Sequence, residues 1–224
     1  MDNSVILFDI DHTLLDTDKL RSQVLENVVG LIKSIIRCNT ADAVNGILIA
    51  EDRMLRKGKK FIMGDLIDYL GDYYKSDRLR LELGNLLSSP ELFSSCLYPD
   101  ARIALDSLSR HFPVGVFSSG DVYFQKIKLR ASGIEPYFRP EHINILERKT
   151  INIPRIIDKY RSFNIAIVDD RASVLEAARQ LRSDVVGIWV NRGKFKHEVP
   201  TQSEFSPHYQ VRDLQSIPKI FSII

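Results

Sequence analysis

Two carboxylates separated by one residue, Asp9 and Asp11, close the apolar run Val5-Ile6-Leu7-Phe8 and open the stretch that continues through His12-Thr13-Leu14-Leu15. A carboxylate at the end of a buried strand can act as a nucleophile toward phosphorus. A second one two residues on can protonate a leaving group and later activate water. Another acidic pair, Asp169-Asp170, ends the apolar run Ile165-Ala166-Ile167-Val168. Acids gathered in one crevice repel each other, and a metal ion is the simplest compensation. Mg²⁺ suits such a place because it takes few carboxylates, several waters and a substrate phosphate.

Two further segments carry groups that fit the same chemistry. Ser118 and Ser119 end the run Val114-Gly115-Val116-Phe117 and lead through Gly120-Asp121 into a predicted helix, where hydroxyls and backbone N–H groups can hold a phosphoryl oxygen. Lys149 follows a weaker strand candidate, His142-Ile143-Asn144-Ile145-Leu146, and can bring a point positive charge to the same oxygens.

The elements that must position these side chains follow from hydrophobic periodicity. The runs named above, with Val185-Val186-Gly187-Ile188-Trp189-Val190, are continuous rather than alternating, as expected of strands buried on both faces of a parallel sheet. Between them the period becomes helical, with stripes at Ala101, Ala104, Leu105 and Leu108 and at Val174, Ala177, Ala178 and Leu181. Asp121 is placed to cap a helix over 122–132 that Gly133 ends. Strand and helix in alternation predict an α/β three-layer sandwich around a parallel sheet. Its right-handed crossovers would leave a ligand crevice at the strands' carboxyl ends.

From about Asp18 to Tyr98 the alternation stops. The stripes there are helical only, at Val24, Val28, Leu31 and Ile35 and again at Ile62, Leu66, Tyr69 and Leu70. The expected division is therefore an α/β core domain over 1–17 and 98–224 and a helical cap domain over 18–97, inserted after the first strand.

Composition bounds the rest. The 224 residues are 44% hydrophobic and 27% charged, with 31 Lys plus Arg against 29 Asp plus Glu, the balance of a folded chain with no overall charge for nucleic acid or a membrane surface. The cysteines, Cys38 and Cys96, share no metal-ligand spacing with each other or with the histidines, so neither a disulfide framework nor a zinc site is signalled and a reducing cytoplasm is the expected setting. The first apolar run is too short for a signal peptide or a membrane span. The one dense basic cluster, Arg53 to Lys60, fits a helix C-terminus ended by Gly58, or a cap surface that recognises an anionic substrate.

This set of residues resembles the haloacid dehalogenase-like (HAD) phosphohydrolase superfamily, whose four motifs occur here in order. The D-x-D-x-T motif is met by Asp9, Asp11 and Thr13, the strand-ending Ser by Ser118, the Lys by Lys149, and the acidic pair by Asp169-Asp170. Lys126, Lys128 and Lys159 compete with Lys149 for the third motif. The resemblance implies Mg²⁺-dependent removal of phosphate from a small phosphorylated metabolite through an aspartyl phosphate on Asp9. Asp11 would be the acid and then the base. The ion would bridge Asp9, the backbone carbonyl of Asp11 and Asp170, with Asp169 supporting it or ligating through water. Ser118, Ser119 and Lys149 would hold the phosphate, and a monomer or weak homodimer is expected.

Other functions leave other signatures. A sugar phosphomutase of the same superfamily also keeps Asp11 but returns the phosphoryl group to a bound intermediate. A dehalogenase attacks carbon, needs no metal and lacks the second acid. A non-catalytic binder of a phosphorylated ligand or partner would have eroded motifs, and every acid is present. A phospho-receiver domain carries its acidic pair near the N-terminus, the reverse of the order here. Two departures from the family pattern stand out. Ser119-Gly120 replaces the frequent Asn after the second motif, and Val174 stands where a third acid often follows the pair.

Overall fold

The computed structural model describes residues 3–56, 63–197 and 206–222. Six parallel strands form one sheet: β1 (Ser4–Phe8), β2 (Val114–Ser119), β3 (Ile143–Leu146), β4 (Asn164–Asp169), β5 (Val186–Val190) and β6 (Tyr209–Val211), in the order β3-β2-β1-β4-β5-β6. The order reverses between β1 and β4, which places the topological switch point, and with it the crevice, between those two strands. Phe8 pairs with Val168 on one side and Val116 on the other, so Asp9 and Asp169 leave the sheet at the same level.

β1 is buried along both faces, and its alternating side chains serve two cores. Ile6 and Phe8 join one hydrophobic cluster with Leu105, Leu129 and Ile188; Val5 and Leu7 join another with Ile156, Ile167 and Leu175. Each such fully buried aliphatic or aromatic side chain contributes about 1.5–3 kcal/mol, so the strand that presents Asp9 is among the most firmly held parts of the chain. The layers on the two faces are built from α6 (Pro99–Ser109), α7 (Val122–Ala131), α8 (Ile153–Lys159), α9 (Ala172–Leu181) and the short α10 (Ile217–Ile220), numbered after five helices of the inserted segment. Asp121 caps α7 through Phe124 N at 2.7 Å, and Gly133 ends it with φ +71°, as the sequence predicts. In α9 the buried face runs through Val174, Leu175 and Ala178, and Leu181, expected on that stripe, is exposed because the helix ends there.

The inserted helices are α1 (Thr17–Ile36), α2 (Thr40–Arg56), α3 (Met63–Tyr73), α4 (Asp77–Leu86) and α5 (Pro90–Ser95). Val28, Ile32, Ile47, Leu66, Leu70 and Leu83 bury one another in a cluster distinct from the two sheet cores. The chain enters and leaves this segment side by side. Leu15 bridges Leu97 antiparallel, Asp16 N donates to Cys96 O at 2.8 Å, and Tyr98 N donates to Leu14 O at 3.0 Å. The second part of the basic cluster, Lys57 to Lys60 with Gly58, and Ile62 lie outside the described residues. Of the first part, Arg56 pairs with Asp52 and Arg53 lies over the Tyr69 ring. Among the described residues no helix is long and apolar enough to cross a membrane.

Candidate active site

The sheet brings the two sequence-distant acidic pairs to one place. Asp9 N donates to Val168 O at 2.9 Å, stitching the end of β1 to β4. Carboxylate oxygens of Asp9, Asp169 and Asp170 all lie within 4.8 Å of one another, and all three residues are buried. Lys149, only 4% exposed, places Nζ 2.8 Å from Asp9 Oδ1 and pairs with Asp169 Oδ2 as well, over the face of the Phe117 ring. It stands just before a short 3₁₀ turn, Thr150–Asn152, which leads into α8.

With all groups ionised, three carboxylates face one ammonium, and two negative charges remain. Burial pushes the Asp170 carboxyl up to about 9, with Asp169 and Asp9 adding to the effect. Burial likewise raises Asp9 to about 6, against the pull of Lys149. Burial opposes the charge of Lys149, yet the Asp169 and Asp9 carboxylates outweigh it and hold the ammonium above its ordinary value. Asp170 Oδ2 is buried and finds no hydrogen-bond partner among the described residues. A buried carboxylate oxygen with nothing to bond is costly. Two excess negative charges, an all-oxygen donor set and an unsatisfied oxygen together fit a hard divalent cation.

Asp170 has another role open to it in principle, as the cap of α9, and the structure assigns that position elsewhere. The N-cap is Arg171, with no side-chain cap bond. Asp169 is oriented by Arg171 N, which donates to its Oδ1 at 2.9 Å, and the backbone carbonyl of Asp170 accepts from Trp189 Nε1 at 2.9 Å. Trp189, which sequence reasoning treats as core, thus fixes the backbone of a site residue.

Asp11 stands apart from the three clustered acids. Its Oδ1 accepts from Lys128 Nζ at 2.5 Å and from Thr17 Oγ1 at 2.8 Å, and its Oδ2 accepts from Gln125 Nε2 at 2.7 Å. Burial would raise its pKa, but Lys128, aided by Gln125 and Thr17, outweighs burial and holds the carboxyl below its usual range. Lys128 and Lys149 therefore divide the cationic work: Lys149 serves Asp9 and Asp169, and Lys128 serves Asp11. Lys159 lies elsewhere, bonded to Asn144 Oδ1 at 2.5 Å and to Glu141 O.

The carboxylates open on a cavity of about 120 Å³ that Asp9, Asp11, Lys149, Asp169 and Asp170 line together with Ser119, His12 and Arg171. At about 30 Å³ per water, that is room for a phosphoryl group with a few waters, so a larger molecule would have to extend out of it. Ser119 lines this cavity, whereas Ser118 is fully buried with its Oγ 3.4 Å from Gln125 Nε2. His12 adopts a left-handed φ of +59° between the two motif positions Asp11 and Thr13. That turn lets the chain double back so that Leu14 N reaches Ile10 O at 2.9 Å. Arg192, which nothing in the sequence singles out, fastens the same loop: it donates to Thr13 O, pairs with Asp100 at 2.7 Å and lies 3.8 Å from the Tyr98 ring centroid. Thr17 and Gln125 are likewise absent from the sequence-predicted set, and Lys128 enters it only as a competitor of Lys149. A further signal for the last two is that they are three residues apart on a helix whose capped start follows Ser119.

Searches against protein-family models and against curated proteins return no match. Solved structures do match over the whole chain. A protein assigned to the haloacid dehalogenase-like hydrolases, from Burkholderia xenovorans LB400, is 22% identical with a TM-score of 0.74, covering 99% of this chain and 98% of its own. A HAD phosphatase from Thermococcus onnurineus is 21% identical with a TM-score of 0.59 and 98% coverage of both chains. A 2-haloacid dehalogenase from Pseudomonas syringae pv. Tomato DC3000 is 17% identical with a TM-score of 0.63 and 99% coverage of both. The chain therefore has the fold of the haloacid dehalogenase-like hydrolases.

Proposed function

We propose that the protein is a Mg²⁺-dependent phosphatase that hydrolyses a small phosphomonoester through an aspartyl phosphate. The observation that carries this reading is the convergence of Asp9, Asp169, Asp170 and Lys149 at the switch point of the sheet, with a second acid, Asp11, two residues from the first.

In the first half-reaction an Asp9 carboxylate oxygen attacks phosphorus and the bond from phosphorus to the ester oxygen breaks. Asp11, which must be protonated for this step against the pull of Lys128, gives its proton to that departing oxygen, which leaves as an alcohol. In the second, Asp11 takes a proton from water as the water oxygen attacks phosphorus, and the bond to Asp9 breaks. Inorganic phosphate leaves, with Asp9 again a carboxylate and Asp11 again protonated. Lys149 neutralises charge beside Asp9, and Ser119 with the start of α7 offers donors to the phosphoryl oxygens. Asp9, Asp169 and Asp170 are the side chains that would hold Mg²⁺. When bound, the ion supplies positive charge against the phosphoryl oxygens and the three acids.

A dehalogenase shares this fold but transfers to carbon, where protonation of a leaving oxygen has no place. The elaborate support given to Asp11 favours phosphoryl transfer. The helical segment 18–97 acts in this reading as a cap over a core of 1–17 and 98–224, choosing the leaving group that extends from the small cavity. The segment reaches the site at its base: Thr17, the residue just before it, bonds Asp11, and Phe93 of α5 packs on Phe124 of α7. The test is release of inorganic phosphate from a panel of phosphomonoesters with Mg²⁺ present and after chelation. Metal-dependent release supports the reading. No release from any ester by folded, Mg²⁺-replete protein overturns it.

A further inference from the structure

The loop that follows β5 reaches the first-motif turn from beyond β4, the strand that separates β5 from β1. Asn191 N donates to Val211 O at 2.8 Å and Arg192 N to Val190 O at 2.9 Å, which fixes the root of this loop to the sheet. From there the Arg192 guanidinium meets three segments at once. It donates to Thr13 O, pairs with Asp100 Oδ2 at 2.7 Å and Oδ1 at 3.0 Å, and lies 3.8 Å from the centroid of the Tyr98 ring. Gly193 completes the contact. Its φ is +67°, and a Cβ there would stand 2.6 Å from the Cβ of His12, so the loop lies directly against the turn that joins Asp11 to Thr13.

Within that turn Leu14 N and Leu15 N both bond Ile10 O, and His12 N bonds Leu15 O, whereas the carbonyl of Thr13, a residue with no exposed surface, is met by Arg192. A buried carbonyl left without a donor is costly. Tyr98 N bonds Leu14 O at 3.0 Å, so the same guanidinium also braces the point where segment 18–97 rejoins the core. Asp100 is held from its other side by Leu214 N at 2.7 Å. Bonding a carbonyl and a carboxylate while stacking on a ring is a task for a planar guanidinium and not for an ammonium.

We propose that Arg192 is a positioning residue that holds the turn from Asp11 to Thr13 in place beside the cavity, so that turnover depends on an arginine outside the cavity. The inference rests on the phosphatase reading and deepens it. Arg192 is not among the described residues that line the cavity, and it acts through the backbone of the turn rather than on the substrate. A second arginine of the same kind provides the contrast. Arg182 donates to Tyr160 O at 3.0 Å and Phe163 O at 2.8 Å and pairs with Asp184 at 2.8 Å. Those carbonyls precede β4, at the opposite end of the sheet from Asp169.

Wild type, R192M, R192K, R182M and R182K are compared on 4-nitrophenyl phosphate, each well below its own melting temperature. R192M is expected to lose about 10- to 100-fold, the scale of a misplaced catalytic group, with kcat and kcat/KM falling together. R192K should recover part of that loss. R182M should melt below wild type yet keep the wild-type kcat, because its arginine braces the end of the sheet away from the site. Hydrogen exchange adds a readout independent of turnover: in R192M the amides of residues 12–15 and of Tyr98 should exchange faster, with those of β1 unchanged. If R192M does not fold, R192K against R182K carries the comparison. An unchanged kcat in R192M, an equal fall of kcat in R192M and R182M, a raised KM at constant kcat, or unaltered exchange over 12–15 overturns the inference and leaves the phosphatase reading intact. Wild-type protein that releases phosphate from neither this ester nor any other monoester overturns both.

Discussion

Lys149 Nζ sits between Asp9 and Asp169, 2.8 Å from Asp9 Oδ1 and ion-paired with Asp169, so a single ammonium joins the ends of β1 and β4 across the switch point of the sheet. The two acids belong to segments 160 residues apart (169 − 9), and only the parallel pairing of their strands makes the shared partner possible. This one contact links fold to chemistry and sets what each substitution should do.

Asp9→Asn removes the nucleophile while keeping its shape. Turnover of any phosphomonoester should fall by at least about 10³-fold, as expected when a covalent catalyst is lost. Steady-state phosphate release and a thermal melt together separate this from unfolding, since the variant should melt at or above the wild-type temperature in the absence of metal.

Lys149→Met leaves three buried acids with no cation. Breaking a buried pair from one side costs about 3–5 kcal/mol, so the metal-free variant should melt well below wild type in calorimetry. Added Mg²⁺ should recover part of that loss, because the ion then carries the compensation alone.

The metal-free protein should weaken as pH rises. Asp170 and Asp9 titrate at about 9 and about 6 in the folded chain, both above the ordinary 3.8. Between 3.8 and those values the native state binds more protons than the unfolded one, so stability falls with increasing pH across that window. It is lost through about 6 for Asp9 and about 9 for Asp170. Mg²⁺ requires the deprotonated acids, so its binding should release protons and grow tighter toward high pH. Melting curves at pH 6 and pH 8.5, with and without Mg²⁺, should show the larger metal-induced rise at pH 8.5. Asp170→Asn should flatten the metal-free pH dependence and abolish most of the Mg²⁺ effect.

Trp189→Phe deletes the hydrogen bond to the Asp170 carbonyl. Partners that orient a ligand typically matter about 10- to 100-fold in metal affinity. Mg²⁺ titration followed by activity should show a weaker apparent affinity, with kcat at saturating metal changed far less.

Much of this was legible in the sequence. Continuous apolar runs marked β1, β2, β4 and β5 because a parallel sheet covered on both faces needs no polar alternation, and the acids and serines stood at their ends. Strand β6 was not legible: Tyr209-Gln210-Val211 is a short edge strand with two exposed residues, so burial imposes almost no pattern on it. The site divided in the same way. Asp9, Asp11, Lys149, Asp169 and Asp170 were readable from strand-end position. Ser119 lines the cavity, whereas Ser118, its neighbour in the motif, is fully buried. Lys128 stood out only as a competitor of Lys149, and Gln125, Thr17 and Arg192 not at all. Their positions depend on how helices dock against strand ends, and a lysine on a helix face looks the same in sequence whether it meets solvent or Asp11.

The central claim is that Asp9 accepts the phosphoryl group, and acid-quenched turnover followed by peptide mass spectrometry measures this most directly. Wild-type protein mixed with Mg²⁺ and 4-nitrophenyl phosphate should carry one phosphoryl group on the peptide containing Asp9, more of it in Asp11→Asn, where the second half-reaction is slowed. Turnover that never labels Asp9 in either protein, or labels another side chain, contradicts the claim.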